Sequence, residues 1–203
     1  MFRSGGYINI ALVFSDNDAI IPNLCSYLSS IIAQGSRLMK VRYSLDTDGE
    51  HWVEEDIVDD EIDLNVFSNF YPSLTLSGDA FDVRSNDVHL TPVIVNHFHG
   101  ILIDIRWDDI VPRSGSIDEL NVQTDRIIRC LARSYFSTPY SYAVVGHELD
   151  VEIAPEDFEL KTGRSGVFPL AWRGDKSVLH VYRGSFHLDG LTPQTMRQEI
   201  IHS

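Results

Sequence analysis

The stretch Gly6-Tyr7-Ile8-Asn9-Ile10-Ala11-Leu12-Val13-Phe14 decides how this chain is built. Ile8, Ile10, Leu12 and Phe14 alternate with Asn9, Ala11 and Val13, which is strand periodicity with apolar character on both faces. A strand of this composition belongs in the interior of a sheet, where neither face meets water. After Asp16, Ile20, Leu24, Leu28 and Ile31 recur at helical spacing, with Pro22 in the first turn and Gly35 placed to end the helix. Met39, Val41, Tyr43 and Leu45 then alternate with Lys40, Arg42 and Ser44 as a half-buried strand.

The same order returns in the second half. Ile101, Ile103 and Ile105 alternate with Leu102 and Asp104, and Ser116 with Glu119 forms a capping box ahead of Leu120, Ile127, Leu131 and Tyr135. Tyr140 to Val145 follows as a strand. Between and after these units the pattern is antiparallel: Leu74 to Val83 against Val88 to Val95, and Val167 to Trp172 against Ser177 to Tyr182 across Arg173 to Lys176. Leu149, Val151 and Ile153 alternate with Glu148, Asp150 and Glu152, which reads as an edge strand with an acidic outer face. Thr192 and Pro193 look like the N-cap and first residue of a short terminal helix. The expected fold is α+β: a mixed, largely antiparallel sheet with two main helices in two strand-helix-strand halves, forming a single domain over residues 1–203.

Charge is distributed unevenly. From Asp46 to Asp63 lie Asp46, Asp48, Glu50, Glu54, Glu55, Asp56, Asp59, Asp60, Glu61 and Asp63 without one Lys or Arg, and this run supplies most of a net charge of −14. A one-signed patch steers a basic protein surface or a cation toward it and repels nucleic acid and anionic membrane. Trp52 sits within the run, and Phe67, Phe70 and Tyr71 follow it. An aromatic ringed by charge has the composition of a binding hot spot. The competing readings are a solvated, solubilising loop and an inward-turned Trp52 and Phe67 that close the core.

Catalytic patterns are scarce. There is no phosphate-binding glycine loop, nucleophile elbow, His-Glu-x-x-His or paired Cys-x-x-Cys. His97 and His99 with Asp104 offer a weak metal-ligand spacing, and His147 with Glu148 and His187 with Asp189 offer weak general-base pairs. Cys25 and Cys130 both fall in helical, apolar surroundings and read as buried reduced thiols. Arg126, Arg129 and Arg133 cluster on one helix, where they complement its C-terminus. No apolar run approaches the ~20 residues of a bilayer span, and the N-terminus lacks a signal-peptide pattern. The expectation is a cytoplasmic, non-enzymatic protein with no cofactor and no catalytic or metal site.

In order, Gly6-Tyr7-Ile8-Asn9-Ile10, Val41-Arg42-Tyr43-Ser44-Leu45-Asp46, Trp52, Ser73-Leu74-Thr75-Leu76, Asp87-Val88-His89-Leu90-Thr91 and His187-Leu188-Asp189-Gly190-Leu191-Thr192 resemble the Imm64-type immunity proteins of bacterial polymorphic toxin systems. The resemblance implies a non-enzymatic protein that binds and neutralises a cognate toxin domain. It assigns no contact residues. The contact surface expected from charge and aromatic placement is Asp46, Asp48, Glu50, Trp52, Glu54, Glu55, Asp56, Asp59 and Asp60, facing a basic protein of which a nuclease is the best fit. The alternatives are a metal-dependent hydrolase using His and carboxylate residues and a structural adaptor with an acidic face. Glu156, Asp157 and Glu159, beyond the acidic edge, read as protection of that edge or as a second contact surface.

Overall fold

The computed structural model describes residues 6–15, 19–95, 97–111, 115–149, 151, 153–158, 168–175 and 177–202. Asp16, Asp150, Glu152, Glu159, Val167 and Lys176, each given a place above, lie outside the described residues. The strands are β1 (Tyr7–Phe14), β2 (Leu38–Ser44), β3 (Trp52–Asp56), β4 (Phe70–Leu76), β5 (Val88–Val95), β6 (Phe98–Arg106), β7 (Tyr142–His147), β8 (Leu170–Asp175), β9 (Val178–Arg183) and β10 (Arg197–His202). The helices are α1 (Ile20–Ala33), α2 (Trp107–Ile110) and α3 (Ile117–Ser137).

Among the described residues, ten strands join one sheet in the order β10-β9-β8-β7-β1-β6-β5-β4-β2-β3, and every pairing between them is antiparallel. The α+β class stands at this level, but the sheet is antiparallel throughout rather than mixed, with a short third helix added. Alternating directions across that order make β1 parallel in sense to β2, and β6 to β7. Each long helix therefore joins two strands of like direction that are not neighbours, and α3 carries the chain from one side of β1 to the other.

β1 earns its central place through its side chains. Ile8 pairs with Ile105, Ile10 with Ile103 and Leu12 with Ile101 on β6, while Val145 and Ala143 of β7 lie opposite Ile10 and Leu12. These residues and Phe14 are buried beneath α1 and α3, whose Leu24, Leu28, Ile31, Leu120, Ile127 and Leu131 complete the main core. On the other face Ala11 and Val13 join Phe98, Tyr142, Val144 and Ala171 in a second cluster. Asn9, the polar residue of that face, donates Nδ2 to Asp104 Oδ1 at 2.6 Å and accepts the Leu149 amide at 3.1 Å. Its burial thus leaves neither end of its amide unsatisfied.

Three expectations need correcting. Leu149, Val151 and Ile153 form no strand: Glu148 turns the chain with φ 51°, and the segment lies across the second cluster as a cover. The cover is pinned where Phe158 stacks on Tyr142 at 3.8 Å and its carbonyl accepts Arg173 Nη1 at 2.9 Å. One-sided apolar alternation signalled burial correctly, but tertiary packing satisfied it without a ladder. Thr192 and Pro193 start no helix, because the Thr192 amide and hydroxyl both donate to the Asp189 carboxylate. The chain then forms β10, held to β9 and α3 by buried Arg183, which donates to Glu199 at 2.7 Å and Asp125 at 2.6 Å. The Leu74 to Val83 strand instead stops at Leu76, and Asp79–Phe81 forms a 3-10 turn.

Other local readings match closely. The Ser116 hydroxyl accepts the Glu119 amide, with Asp118 and Glu119 in the first turn of α3. Gly35 follows α1 with φ 105°, a conformation that costs glycine little. Gly174 in β8 answers a different need: a Cβ there would lie 2.1 Å from the ring of Tyr135, which is buried on α3. Gly174→Ala should therefore push α3 off the sheet and lower stability by about 1–3 kcal/mol, read from the urea midpoint at unchanged m-value.

Candidate functional surface

The acidic run occupies the end of the sheet farthest from β10, where β3 is the outermost strand. β2 and β3 form a hairpin with Ser44 opposite Trp52, Arg42 opposite Glu54 and Lys40 opposite Asp56. Val41 and Tyr43 pack into the main core. Alternation therefore places Trp52, Glu54 and Asp56 with Lys40 and Arg42 on the face away from the helices, and Val53 and Glu55 on the helix side. On the open face the row continues through Ser73, Thr75 and His89 of β4 and β5. These are small or polar side chains, whereas the β1 and β7 region of the same face lies under its apolar cover.

The hairpin turn is organised by Asp46. Its carboxylate accepts the Glu50 amide at 2.9 Å, the His51 ring nitrogen and the Ser44 hydroxyl. The Glu50 amide first, and then the His51 ring, hold its carboxyl down at about 2. Trp52 is 43% exposed. Its indole N–H donates to the Gly49 carbonyl at 2.7 Å, and the Arg42 guanidinium lies 4.1 Å from the ring centre. A cation over an exposed indole contributes about 0.5–1 kcal/mol. Tyr71 stands beside it, ring centres 6.3 Å apart, with its hydroxyl donating to the Thr47 carbonyl at 2.7 Å.

Tyr71 reaches that position with φ 53°, at the irregularity where the β2 and β4 register shifts between Arg42 and Ser44. A left-handed tyrosine costs on the order of 1–2 kcal/mol. Phe70 is also exposed at 43%, so Trp52, Phe70 and Tyr71 form an aromatic patch at the edge of the acidic hairpin. Phe67 instead packs against the main core. Of the two orientations open to these aromatics, Trp52 takes the outward one and Phe67 the inward one. Sequence proximity pointed to Tyr71, but nothing in the sequence marks the backbone twist that aims it at Trp52.

The carboxylates divide by task. Asp46 closes the turn, Asp60 accepts the Leu38 amide at 2.6 Å to begin β2, and Asp63 caps the 3-10 turn at Leu64–Ser68. Glu54 pairs with Lys40 at 2.6 Å, and Asp56 lies 4.0 Å from the same ammonium. That hydrogen bond is the main reason the Glu54 carboxyl lies below its ordinary range. Glu55 meets the Tyr43 hydroxyl at 3.4 Å on the opposite side of the sheet. Asp48, Glu50 and Asp59 are exposed. The hairpin end and the Asp59–Asp60 turn stand at opposite ends of β3, about 13 Å of strand apart.

The chemical constellations weighed above are not assembled. His99 is buried on the helix side, stacked on Phe14, whereas Asp104 points to the other face toward Asn9, and His97 lies exposed in the turn. Among the described residues no group of three or more His, Cys, Asp or Glu is placed to hold a metal ion. His147 bonds the Leu188 carbonyl at 3.1 Å, and the Asp189 carboxylate is taken up by Leu191 and Thr192. A cleft of about 390 Å³ has His147, Glu148 and Asp189 on its walls, with neither histidine pair joined by a hydrogen bond among the described residues. Burial pushes the Cys130 thiol up to about 12 and raises that of half-buried Cys25, so neither carries a ready thiolate. Arg126 pairs with Asp82 at 2.7 Å.

A sequence profile described as Immunity protein 64 matches residues 6–194, nearly the whole chain. The chain belongs to the immunity protein 64 family. The matched span runs from the first residue before β1 to the turn preceding β10, and so includes the β2–β3 hairpin and its aromatic patch. No curated protein and no solved structure matches the chain. An Imm64 protein is by family an immunity protein, a role that entails binding a cognate toxin. Among the described residues, no helix is long and apolar enough to cross a membrane.

The depressed carboxyl of Asp46 gives the hairpin a specific acid response. A group lowered from ~3.9 in the unfolded chain to about 2 when folded stabilises the turn fully above the higher value and loses that contribution as pH falls through the lower one. In an NMR titration, the Glu50 amide and His51 ring signals should therefore report a carboxyl midpoint near 2. Asp46→Asn should abolish that step.

Proposed function

We propose that this Imm64 protein neutralises its toxin by direct, non-enzymatic binding through the open face and edge of the β2–β3–β4 corner. The observation that carries this reading is the half-exposed Trp52, braced by Arg42, the Gly49 carbonyl and Tyr71 inside the acidic hairpin. A large aromatic held ready in one orientation loses little freedom on binding, which is a property of hot spots. Asp48, Glu50, Glu54, Glu55, Asp56 and Asp59 supply the surrounding field, while Asp46 and Asp60 shape the surface through their bonds to the main chain.

The partner that fits such a surface is a toxin domain with a basic cleft, best matched by a nuclease whose phosphate-binding positions the carboxylates would occupy. Steering of this kind supports association at about 10⁸ M⁻¹s⁻¹ at low salt, a rate suited to intercepting a lethal enzyme in the cytoplasm. The whole chain acts as one binding unit, without cofactor, and its acidity disfavours nucleic acid and anionic membrane. Electrostatics would set the on-rate and the aromatic patch the residence time.

The test separates these parts. Reversing Glu54, Glu55 and Asp56 to Lys should abolish protection of cells producing the toxin and flatten the salt dependence of the association rate. Trp52→Ala should leave the on-rate near its original value and weaken binding by about 2 kcal/mol or more, through faster dissociation. Unchanged protection and unchanged salt dependence in the triple variant would place the interface elsewhere.

A further inference from the structure

The hairpin carries a second kind of recognition element besides its side chains. Among the described residues β3 ends the sheet, so one side of its main chain has no described strand beside it. The ladder to β2 is bracketed by two hydrogen bonds, from the Leu45 amide to the His51 carbonyl at 2.9 Å and from the Ile57 amide to the Met39 carbonyl at 2.9 Å. Antiparallel pairs alternate between bonded and non-bonded positions. The two brackets therefore turn the main chain of His51, Val53, Glu55 and Ile57 toward β2, and that of Trp52, Glu54 and Asp56 outward. The residues with outward amides and carbonyls are the ones whose side chains lie on the open face.

We propose that the toxin binds by laying an extended segment along β3 as an eleventh strand, with Lys or Arg side chains opposite Glu54 and Asp56 and an apolar or cationic residue opposite Trp52. The inference rests on the reading of this corner as the toxin-facing surface, and adds the geometry of the contact. Charge identifies the occupant. A second copy of the chain paired antiparallel about Glu54 would set Glu54 against Glu54 and Asp56 against Trp52, and like charges directly opposite are destabilising. A basic strand meets the reverse situation, because Lys40 divides itself between Glu54 and Asp56 and the Arg42 guanidinium lies over the Trp52 ring. Acidic side chains on a free edge also keep unwanted strands away, so the feature that blocks self-association selects the basic partner. Main-chain bonds would then supply affinity, and the alternate side chains specificity.

Amide exchange into deuterium, followed by NMR with and without the isolated cognate toxin domain, tests the pairing directly. The amides of Trp52, Glu54 and Asp56 should exchange freely in the unbound protein and slow by at least about tenfold in the complex, while Val53 and Glu55 are protected in both. Binding without this alternation would overturn the proposal. A second measurement uses Glu54→Pro against Glu54→Gln: proline is tolerated at an edge position whose N–H points outward, and it removes that donor, whereas glutamine removes only the charge. Glu54→Pro should weaken binding at least about tenfold more than Glu54→Gln, the worth of a main-chain hydrogen bond left unmade. Equal losses would refute strand addition while leaving the acidic surface in place, and no loss in either, together with an unaffected triple charge reversal, would remove both. If Glu54→Pro unfolds the chain, the exchange pattern alone decides.

Discussion

Burial of β1 on both faces is the constraint on which the rest of the molecule depends. Ile8, Ile10, Leu12 and Phe14 need a helical cover on one side, and Ala11 and Val13 need one on the other. β6 and β7 must then flank it, because their own apolar rows match its register. Since the two flanking strands run in the same sense, the connection between them has to cross β1, and α3 does so as the larger part of the cover. α1 fills the rest, with Ser26, Ser30 and the following Gln34 meeting Ser134 of α3 and the Thr138 that ends it across the helix seam. Further strands extend the sheet on both sides, β5 and β4 followed by the β2–β3 hairpin on one and β8, β9 and β10 on the other.

Those two ends have opposite characters. β10 is tied inward by Arg183, whose guanidinium is nearly inaccessible. Burial opposes its charge, yet its bonds to Glu199 and Asp125 outweigh that opposition and hold the charge in place. β3 is held by its ladder to β2, by Lys40 on Glu54 and by Arg42 over Trp52, and it concentrates carboxylates beside exposed aromatics. An immunity protein must be stable alone and must also present a surface that pairs with something else. The hairpin shares in the core only through its helix side, where Val41 and Tyr43 pack, while Trp52, Glu54 and Asp56 lie on the other face and take no part in it.

Much of this was legible in the residues. Two-sided apolar alternation located the central strand, the Ser116–Glu119 box began α3 where it does begin, and the unbroken carboxylates from Asp46 to Asp63 marked one corner. Where the reading failed, a local pattern had more than one tertiary solution. Leu149, Val151 and Ile153 alternate as a strand would, but burial against Gly100 and Tyr142 satisfied them without pairing. Thr192 and Pro193 have the chemistry of a helix start, but Asp189 had already claimed the groups that a cap would use. The acidic run likewise looked uniform, although Asp46, Asp60 and Asp63 serve the chain's own amides.

The sequence by itself determined the α+β class, the central strand, the long helices, the segregation of charge and, through the Imm64 pattern, the family. These follow from periodicity and composition, which act over a few residues at a time. Tertiary structure decided that β3 is an outermost strand, that Trp52 faces outward while Phe67 faces inward, and that Tyr71 twists into a left-handed conformation to stand beside the indole. Each of those outcomes depends on which strands lie next to β2 and how their registers slip. Such long-range pairings are set by the packing of the whole sheet, and no local run of residues encodes them.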